Sequence, residues 1–314
     1  MKCSYLPNSQ GTMNYSKWFT RIVFLLSMLK VPVVRSGLRI IGGRNGTKDE
    51  FPYVVRLEVI PVNVTLPRPG RDSHVILCSA SVLTAVWTLT SAHCIQFLEK
   101  HKAKHPGIKH KNMIRIKGIG DQPFGGGDFI SDDINPPPND ELFEIISYYK
   151  HPAYRGLIVN NIILIDNDIG LLNTESIALK QYAKVSAVDY STVTGQVVTA
   201  VGYGVSVVIG NKNKDTPPSP RPLKVLDLVV VKCPKLWHLY PAICVAQPCG
   251  RSDTMCAGDS GGPLMHPSGI IATTSVYYTK DCTVGAQERS HIIGVFTATS
   301  PYVDWITSHV LSGH

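Results

Sequence analysis

The stretch Gly258-Asp259-Ser260-Gly261-Gly262-Pro263-Leu264 is the most informative part of this chain, because it holds a serine between glycines. A serine hydroxyl acts as a nucleophile when a nearby base takes its proton. Flanking glycines allow the sharp turn that points two backbone N–H groups into one small space, where they stabilise a developing oxyanion. A bare Gly-x-Ser-x-Gly also fits an ordinary turn, but the full seven-residue string is much more specific. It predicts a serine nucleophile, with a base and a carboxylate elsewhere in the chain.

The candidate base is His93, in the segment Thr90-Ser91-Ala92-His93-Cys94. A lone histidine is more often structural or solvated, but the small residues and the adjacent cysteine favour a rigidly held imidazole. The candidate carboxylate is Asp168, which lies beside the apolar run 169–172, where a carboxylate is costly unless it is hydrogen-bonded. Asp166 is a nearby competitor, and an aspartate in a turn is the alternative interpretation.

Composition excludes several classes of protein. The 314 residues are 44% apolar and 17% charged, which is typical of a globular protein. No apolar run approaches the ~20 residues that cross a bilayer as a helix, which excludes a polytopic membrane protein. The net charge of +8 arises mainly from residues 1–39, since residues 40–314 hold 25 basic against 23 acidic side chains. A nucleic-acid binder would need a stronger basic excess in its folded part.

Short apolar runs rich in β-branched residues recur between clusters of glycine, proline and Asx residues, and this pattern predicts an all-β sandwich or barrel. Eight such runs are predicted strands: residues 53–60, 74–83, 113–119, 144–149, 196–201, 225–231, 270–278 and 292–297. A helical period after Pro301 predicts one C-terminal helix over 301–311. Three long segments, 96–117, 118–139 and 210–221, are expected to be solvated surface loops, and the first holds five lysines before Asn112.

The N-terminal segment is interpreted as a secretion signal. Residues 22–29 form a short apolar stretch that follows Lys17 and Arg21 and ends at Lys30. The start is either Met1 or Met13, the cut within 1–39 is left open, and a buried N-terminal helix is the alternative. Secretion would permit disulfides. It would also make the sequons at Asn45 and Asn63 glycosylation sites.

Four motifs occur in the order found in one family: Ile40-Ile41-Gly42-Gly43 after Arg39, Thr90 to Cys94, Asn167 to Leu172, and Gly258 to Leu264. Shorter matches are His151-Pro152-Ala153-Tyr154, Gly202-Tyr203-Gly204 and Gly294-Val295-Phe296-Thr297. Over residues 40–312 the chain resembles the chymotrypsin-fold (trypsin-like) serine endopeptidases.

The resemblance implies an all-β fold of two six-stranded antiparallel β-barrels with the active site between them. The first barrel would span about 40–185 and the second about 186–300, and a C-terminal helix would span about 301–312. Residues 1–39 would be the signal peptide and a short activation segment. In this arrangement Ser260 attacks the scissile carbonyl, His93 is the general base and then the general acid, and Asp168 orients His93. The backbone amides of Gly258 and Ser260 would form the oxyanion hole.

The resemblance also implies a zymogen. Cleavage after Arg39 would free the amino group of Ile40, which would bury and pair with Asp259. Because an unpaired buried carboxylate is costly, this pairing would couple activation to ordering of the oxyanion hole.

Cysteine pairing in the family implies disulfides Cys78–Cys94, Cys233–Cys244 and Cys256–Cys282. Cys249 is left over as a free thiol, an intermolecular link, or a sign of different pairing in the second barrel. His266 stands where the family often has another cysteine.

The primary specificity pocket is expected to be uncharged. The resemblance implies that its base is Thr254, six residues before Ser260, and that its walls include Ser275, Tyr277 and Gly294. A neutral pocket leaves an incoming arginine without a counter-charge, which favours chymotrypsin- or elastase-like specificity. The alternative is that Asp253 reaches the pocket and the specificity is trypsin-like.

Two other functions remain open: an inactive protease homologue that acts as a binding module, and binding of an anionic polysaccharide through the basic loop between Lys100 and Lys117. Expected partners are protein or peptide substrates, an activating protease and protein inhibitors, without nucleic acid or membrane. We expect a secreted monomer with no cofactor or metal.

Overall fold

A computed structural model describes residues 43–47, 49–62, 75–104, 109–116, 141–159, 162–204, 223–233, 241–248, 255, 258–277 and 292–312. Fifteen strands and two α-helices lie within these ranges. Each of the eight runs predicted as a strand overlaps one of them, so the all-β prediction is confirmed.

Six strands form a closed antiparallel barrel in the order β2-β3-β4-β9-β6-β5. Their bounds are β2 Val54–Val62, β3 Val75–Val82, β4 Trp87–Thr90, β5 Lys109–Ile116, β6 Glu141–Lys150 and β9 Gly170–Thr174. Alternate residues of β2 point inward, and Val55, Leu57 and Val59 are at most 1% exposed. Burial of each such side chain contributes about 2 kcal/mol to folding.

Seven strands form a second antiparallel sheet in the order β1-β11-β10-β13-β14-β15-β12. Their bounds are β1 Arg44–Asn45, β10 Val197–Gly202, β11 Lys224–Val231, β12 Ala242–Ala246, β13 Pro263–His266, β14 Gly269–Tyr277 and β15 Ile292–Ala298. The last strand, β12, also pairs with β11, which joins six of the strands into a ring. Although β1 falls in the range expected for the first barrel, it pairs with β11 of the second.

The remaining elements are a two-stranded hairpin, β7 Arg155–Val159 and β8 Ile162–Asp166, and two helices, α1 Ala92–Lys104 and α2 Val303–Leu311. A 3-10 turn at Ser300–Tyr302 precedes α2, in agreement with the predicted C-terminal helix. The hairpin ends two residues before Asp168, so it leads directly into the candidate site.

The expectation of a basic surface loop over 96–117 is wrong for most of that segment. Its first part continues α1 to Lys104, and its last part is strand β5. The helix forms because Ile95 and Leu98, three residues apart, are 0% and 1% exposed against the first barrel. Two of the lysines that suggested a loop, Lys100 and Lys102, are exposed on this helix. The segments 118–139 and 210–221 lie outside the described residues.

Candidate active site

His93 and Asp168 meet at the end of the first barrel. His93 is the second residue of α1, and Asp168 lies between β8 and β9. The imidazole Nδ1 is 2.7 Å from Asp168 Oδ2, and the backbone N–H of His93 donates to Asp168 Oδ1 at 2.8 Å. An ionised carboxylate accepts hydrogen bonds only, so the proton of the neutral imidazole lies on Nδ1 and Nε2 keeps its lone pair. The carboxylate of Asp168 therefore fixes the orientation of His93 through two hydrogen bonds, one to its ring and one to its backbone.

Asp168 is fully buried and accepts a third hydrogen bond, from Ser275 Oγ at 2.5 Å. Burial alone raises the pKa of this carboxyl. The facing imidazole of His93 and the hydrogen bonds from His93 and Ser275 outweigh burial, and the pKa of Asp168 lies below its ordinary value. The carboxylate is thus ionised at neutral pH. Ser275 was expected to line the substrate pocket, and its hydrogen bond to Asp168 was not predicted.

Asn167 holds the turn that presents Asp168. Its φ is 51°, in the left-handed region that asparagine tolerates better than most residues. Its side-chain amide donates to the carbonyl of Ala153 at 2.9 Å and accepts from the hydroxyl of Tyr302 at 2.8 Å. The competitor Asp166 lies one residue earlier, at the end of β8, and forms no described contact with His93.

The serine turn packs against the histidine helix. Ser260 and His93 are 7% and 6% exposed. A Cβ built on Gly261 would lie 3.2 Å from the sulfur of Cys94, the residue after His93. The positive φ of Gly261, 75°, further restricts this position to glycine. Within the described residues, Ser260 Oγ and His93 Nε2 do not hydrogen-bond to each other; such bonds are often long in unliganded sites and tighten when substrate binds.

The predicted oxyanion donors lie in the same turn. Gly258 has a φ of 95°, which only glycine adopts readily. Among the described residues, no acceptor takes the amide hydrogen of Gly258 or of Ser260. The two N–H groups thus keep their hydrogen-bonding capacity within the part of the chain that the structure describes.

Asp259 is 1% exposed, and its Oδ1 accepts the N–H of Gly204 at 2.7 Å. A Cβ on Gly202 would lie 2.5 Å from the same oxygen, and one on Gly204 would also overlap the carboxylate. The two glycines of Gly202-Tyr203-Gly204 are therefore required by the close approach of Asp259. The predicted partner Ile40 and the predicted cleavage residue Arg39 lie outside the described residues.

The structure describes only some of the residues expected to line the primary specificity pocket. A Cβ on Gly294 would lie 3.1 Å from the sulfur of Met255, which is 1% exposed. Gly294 pairs with Tyr277 across β14 and β15, so the expected walls are neighbouring strands. Thr254 and the side chain of Tyr277 lie outside the described residues.

Two of the three predicted disulfides are confirmed, Cys78–Cys94 and Cys233–Cys244. Cys256, Cys282 and Cys249 lie outside the described residues. Asn45 is exposed at the edge of the second sheet, and Asn63 is not among the described residues.

One cluster has the ligand types of a metal site: the side chains of Cys78, His93 and Cys94 lie within 4.8 Å of one another. Because the two cysteines are joined in a disulfide, their sulfurs are not the thiolates that bind metal ions. The cluster is better described as the disulfide that anchors the start of α1 to β3.

A sequence model of the family described as Trypsin matches residues 129–306. The chain is 26% identical over 287 residues to a suppressor of tumorigenicity 14 protein homolog from Bos taurus, and 23% identical over 273 residues to granzyme M from Rattus norvegicus. The alignments cover 87% and 85% of this chain. They cover 28% of the bovine protein and 88% of the rat protein, so the chain spans less than a third of the bovine relative.

Proposed function

Because the chain belongs to the trypsin family of serine proteases, we propose that it is a secreted serine endopeptidase that uses Ser260, His93 and Asp168. The observation that carries this proposal is the double hydrogen bond from His93 to the buried carboxylate of Asp168. This arrangement leaves Nε2 as a base beside a serine turn that packs against Cys94.

In the proposed reaction, Nε2 of His93 takes the proton of Ser260 Oγ as that oxygen attacks the scissile carbonyl. The imidazolium that forms is stabilised by Asp168, which is why the lowered pKa of this carboxyl matters. His93 then gives its proton to the leaving amine, and an acyl-enzyme remains on Ser260. Water, deprotonated by the same Nε2, releases the acid and restores the serine.

The negative charge on the carbonyl oxygen develops near the Gly258 turn. In the proposal the amides of Gly258 and Ser260 both donate to it, and each such donor contributes about 3 kcal/mol to the transition state. The left-handed φ of Gly258 supports this role, because it lets the turn bring both N–H groups to one side.

We also propose that the enzyme is made as a zymogen that is cleaved after Arg39. A buried carboxylate, Asp259, precedes the nucleophile, and two apolar residues and two glycines follow Arg39. The new ammonium of Ile40 would enter this buried position, and its burial would order the turn that carries Gly258 and Ser260.

The substitution Arg39→Gln removes the proposed cleavage site and is expected to give a stable precursor with no peptidase activity. Treatment with trypsin should activate the wild type, with Ile40 as the new N-terminus by Edman sequencing, and leave the variant uncut at this position. An Arg39→Lys variant is the matched control and should still be activated. Equal activity of Arg39→Gln and wild type after treatment would contradict the switch.

For substrate preference we propose an uncharged residue before the scissile bond, chymotrypsin- or elastase-like. Thr254, rather than an aspartate, stands six residues before Ser260, and the thioether of Met255 against Gly294 adds no charge to that region. An arginine entering such a pocket would lose its hydration without a compensating carboxylate.

Four peptides that differ only in Arg, Phe, Leu or Ala before the scissile bond measure this preference. We expect kcat/KM to be highest for Phe, Leu or Ala, and the variant Thr254→Asp to gain activity on Arg relative to wild type. If Arg is preferred by about tenfold or more, equivalent to about 1.4 kcal/mol, the assignment of Thr254 is wrong.

Secretion, glycosylation at Asn45, protein substrates and control by protein inhibitors belong to the same proposal. Neither of the helices that the structure describes is long and apolar enough to span a bilayer. The exposed position of Asn45 would leave its sequon accessible to a glycosyltransferase.

A further inference from the structure

Ser79 of β3 is a fully buried serine of the first barrel that contacts the serine turn of the second. Its hydroxyl donates to the carbonyl of Gly258 at 2.8 Å and accepts the N–H of Tyr203 at 3.0 Å. Its backbone N–H donates to the carbonyl of Ser260 at 2.8 Å. One residue thus binds the carbonyl groups on both sides of Asp259.

From these contacts we infer that Ser79 is a positioning residue, whose hydroxyl fixes the direction of the oxyanion-hole amides. The inference rests on the proposed function and adds a residue outside the triad and the turn.

The physical reason lies in the freedom of Gly258. A glycine with a φ of 95° has no Cβ to restrict its ψ, so the following peptide can rotate. The ψ angle of Gly258 sets the direction of its carbonyl group. A rotation about ψ therefore turns the N–H of Gly258 relative to the N–H of Ser260. The hydrogen bond from Ser79 Oγ holds this carbonyl at a buried position, where an unmade hydrogen bond costs about 1–3 kcal/mol.

The Ser79 hydroxyl cannot rotate to another partner without breaking a second hydrogen bond. It also accepts the Tyr203 N–H, and Tyr203 lies between the two glycines that close around Asp259. A Cβ on Gly262 would lie 3.2 Å from the Cβ of Ser79, so the serine turn packs directly on this side chain. Ser79 therefore contacts the serine turn at Gly258, Ser260 and Gly262.

The same strand also holds the base. Cys78, the residue before Ser79, forms the disulfide with Cys94, next to His93. The consecutive residues 78 and 79 thus connect one strand to the histidine helix and to the serine turn. This geometry predicts that loss of the Ser79 hydroxyl affects the transition state more than substrate binding.

The test compares activated wild type with Ser79→Ala, and uses Ser186→Ala as the matched control. Ser186 is 3% exposed, and its hydroxyl contacts Ser268 Oγ at 2.7 Å and accepts the backbone N–H of Val188 at 3.2 Å, neither of which belongs to the serine turn. Because Ser79 positions donors rather than donating itself, we expect kcat of Ser79→Ala to fall about 10- to 100-fold, less than for loss of an oxyanion donor. KM should stay within about twofold, and the Ki of a peptidyl trifluoromethyl ketone, which forms a tetrahedral oxyanion, should rise by the factor lost in kcat.

Ser79→Gly keeps the backbone N–H that binds Ser260 and provides a second variant without the hydroxyl. The inference is overturned if kcat and Ki of Ser79→Ala stay within about twofold of wild type, if only KM rises, or if Ser186→Ala loses as much. It is also overturned if both Ser79 variants lose the folded state, since the role would then be structural. A folded wild type that is cut after Arg39 but shows no turnover would instead overturn the proposed function, and this inference with it.

Discussion

The substitution Ser260→Ala is expected to lower kcat for peptide hydrolysis by about 10⁶-fold and to leave the fold intact. The change removes the attacking oxygen but keeps the backbone carbonyl that accepts from Ser79. Turnover of a chromogenic peptide by the activated protein measures the loss, and thermal unfolding of both proteins checks the fold.

The chain offers a matched control in a second serine–histidine pair. Ser268 Oγ lies 2.7 Å from His266 Nδ1, but the other nitrogen of His266 contacts the amide oxygen of Gln196 rather than a carboxylate. Ser268→Ala should therefore retain activity. If a contamination-free Ser260→Ala preparation keeps a tenth or more of the wild-type kcat, Ser260 is not the nucleophile.

The substitution Asp168→Asn is expected to lower kcat by about 10⁴-fold near neutral pH. An amide in this position presents an N–H to the imidazole in one orientation, so His93 would be held with its proton on Nε2 and could not act as base. Asp166→Asn is the matched control, because it removes the other carboxylate of the same segment, two residues earlier at the end of β8. A larger loss in Asp166→Asn than in Asp168→Asn would mean that the competitor is the functional acid.

Asp168→Asn also has a predicted effect on stability. The pKa of Asp168 is lower in the folded protein than its ordinary value, so the ionised carboxylate stabilises the folded state relative to the unfolded state. This stabilising contribution is complete above the unfolded pKa of about 3.9 and is lost as pH falls through the lower folded value. The melting temperature of Asp168→Asn should therefore depend less on pH than that of wild type in this acid range.

Patterns local in sequence predicted most of the fold. The eight apolar runs gave strands because alternation and β-branching act over a few residues. Short strands of two to five residues, such as β1, β9, β12, β13 and the hairpin of β7 and β8, were missed, since each is too short or too uniformly apolar to show a period. Helix α1 was missed because its second half is rich in lysine, whereas two apolar side chains, Ile95 and Leu98, pack it against the barrel.

In the candidate site, too, the residues in local motifs were predicted and the contacts between distant residues were not. His93 and Asp168 were predicted as partners, and the structure brings them together. The hydrogen bond from Ser79 to Gly258 joins residues 179 positions apart, and the one from Ser275 to Asp168 joins residues 107 apart. Ser79 lies in an ordinary strand, and no local pattern distinguishes its hydroxyl from that of a serine that only fills space. Such contacts arise from the packing of the two barrels and become visible only in three dimensions.

Covalent labelling of the activated protein with a phosphonylating fluorophosphonate, followed by peptide mass spectrometry, tests whether Ser260 is a nucleophile activated by His93. We expect one adduct per chain, located on Ser260. Labelling should be absent in Ser260→Ala and strongly slowed in His93→Ala, which keeps the hydroxyl but removes the base. A folded, cleaved protein that forms no adduct, or forms it at the same rate without His93, would contradict the assignment of this site as a serine-protease triad.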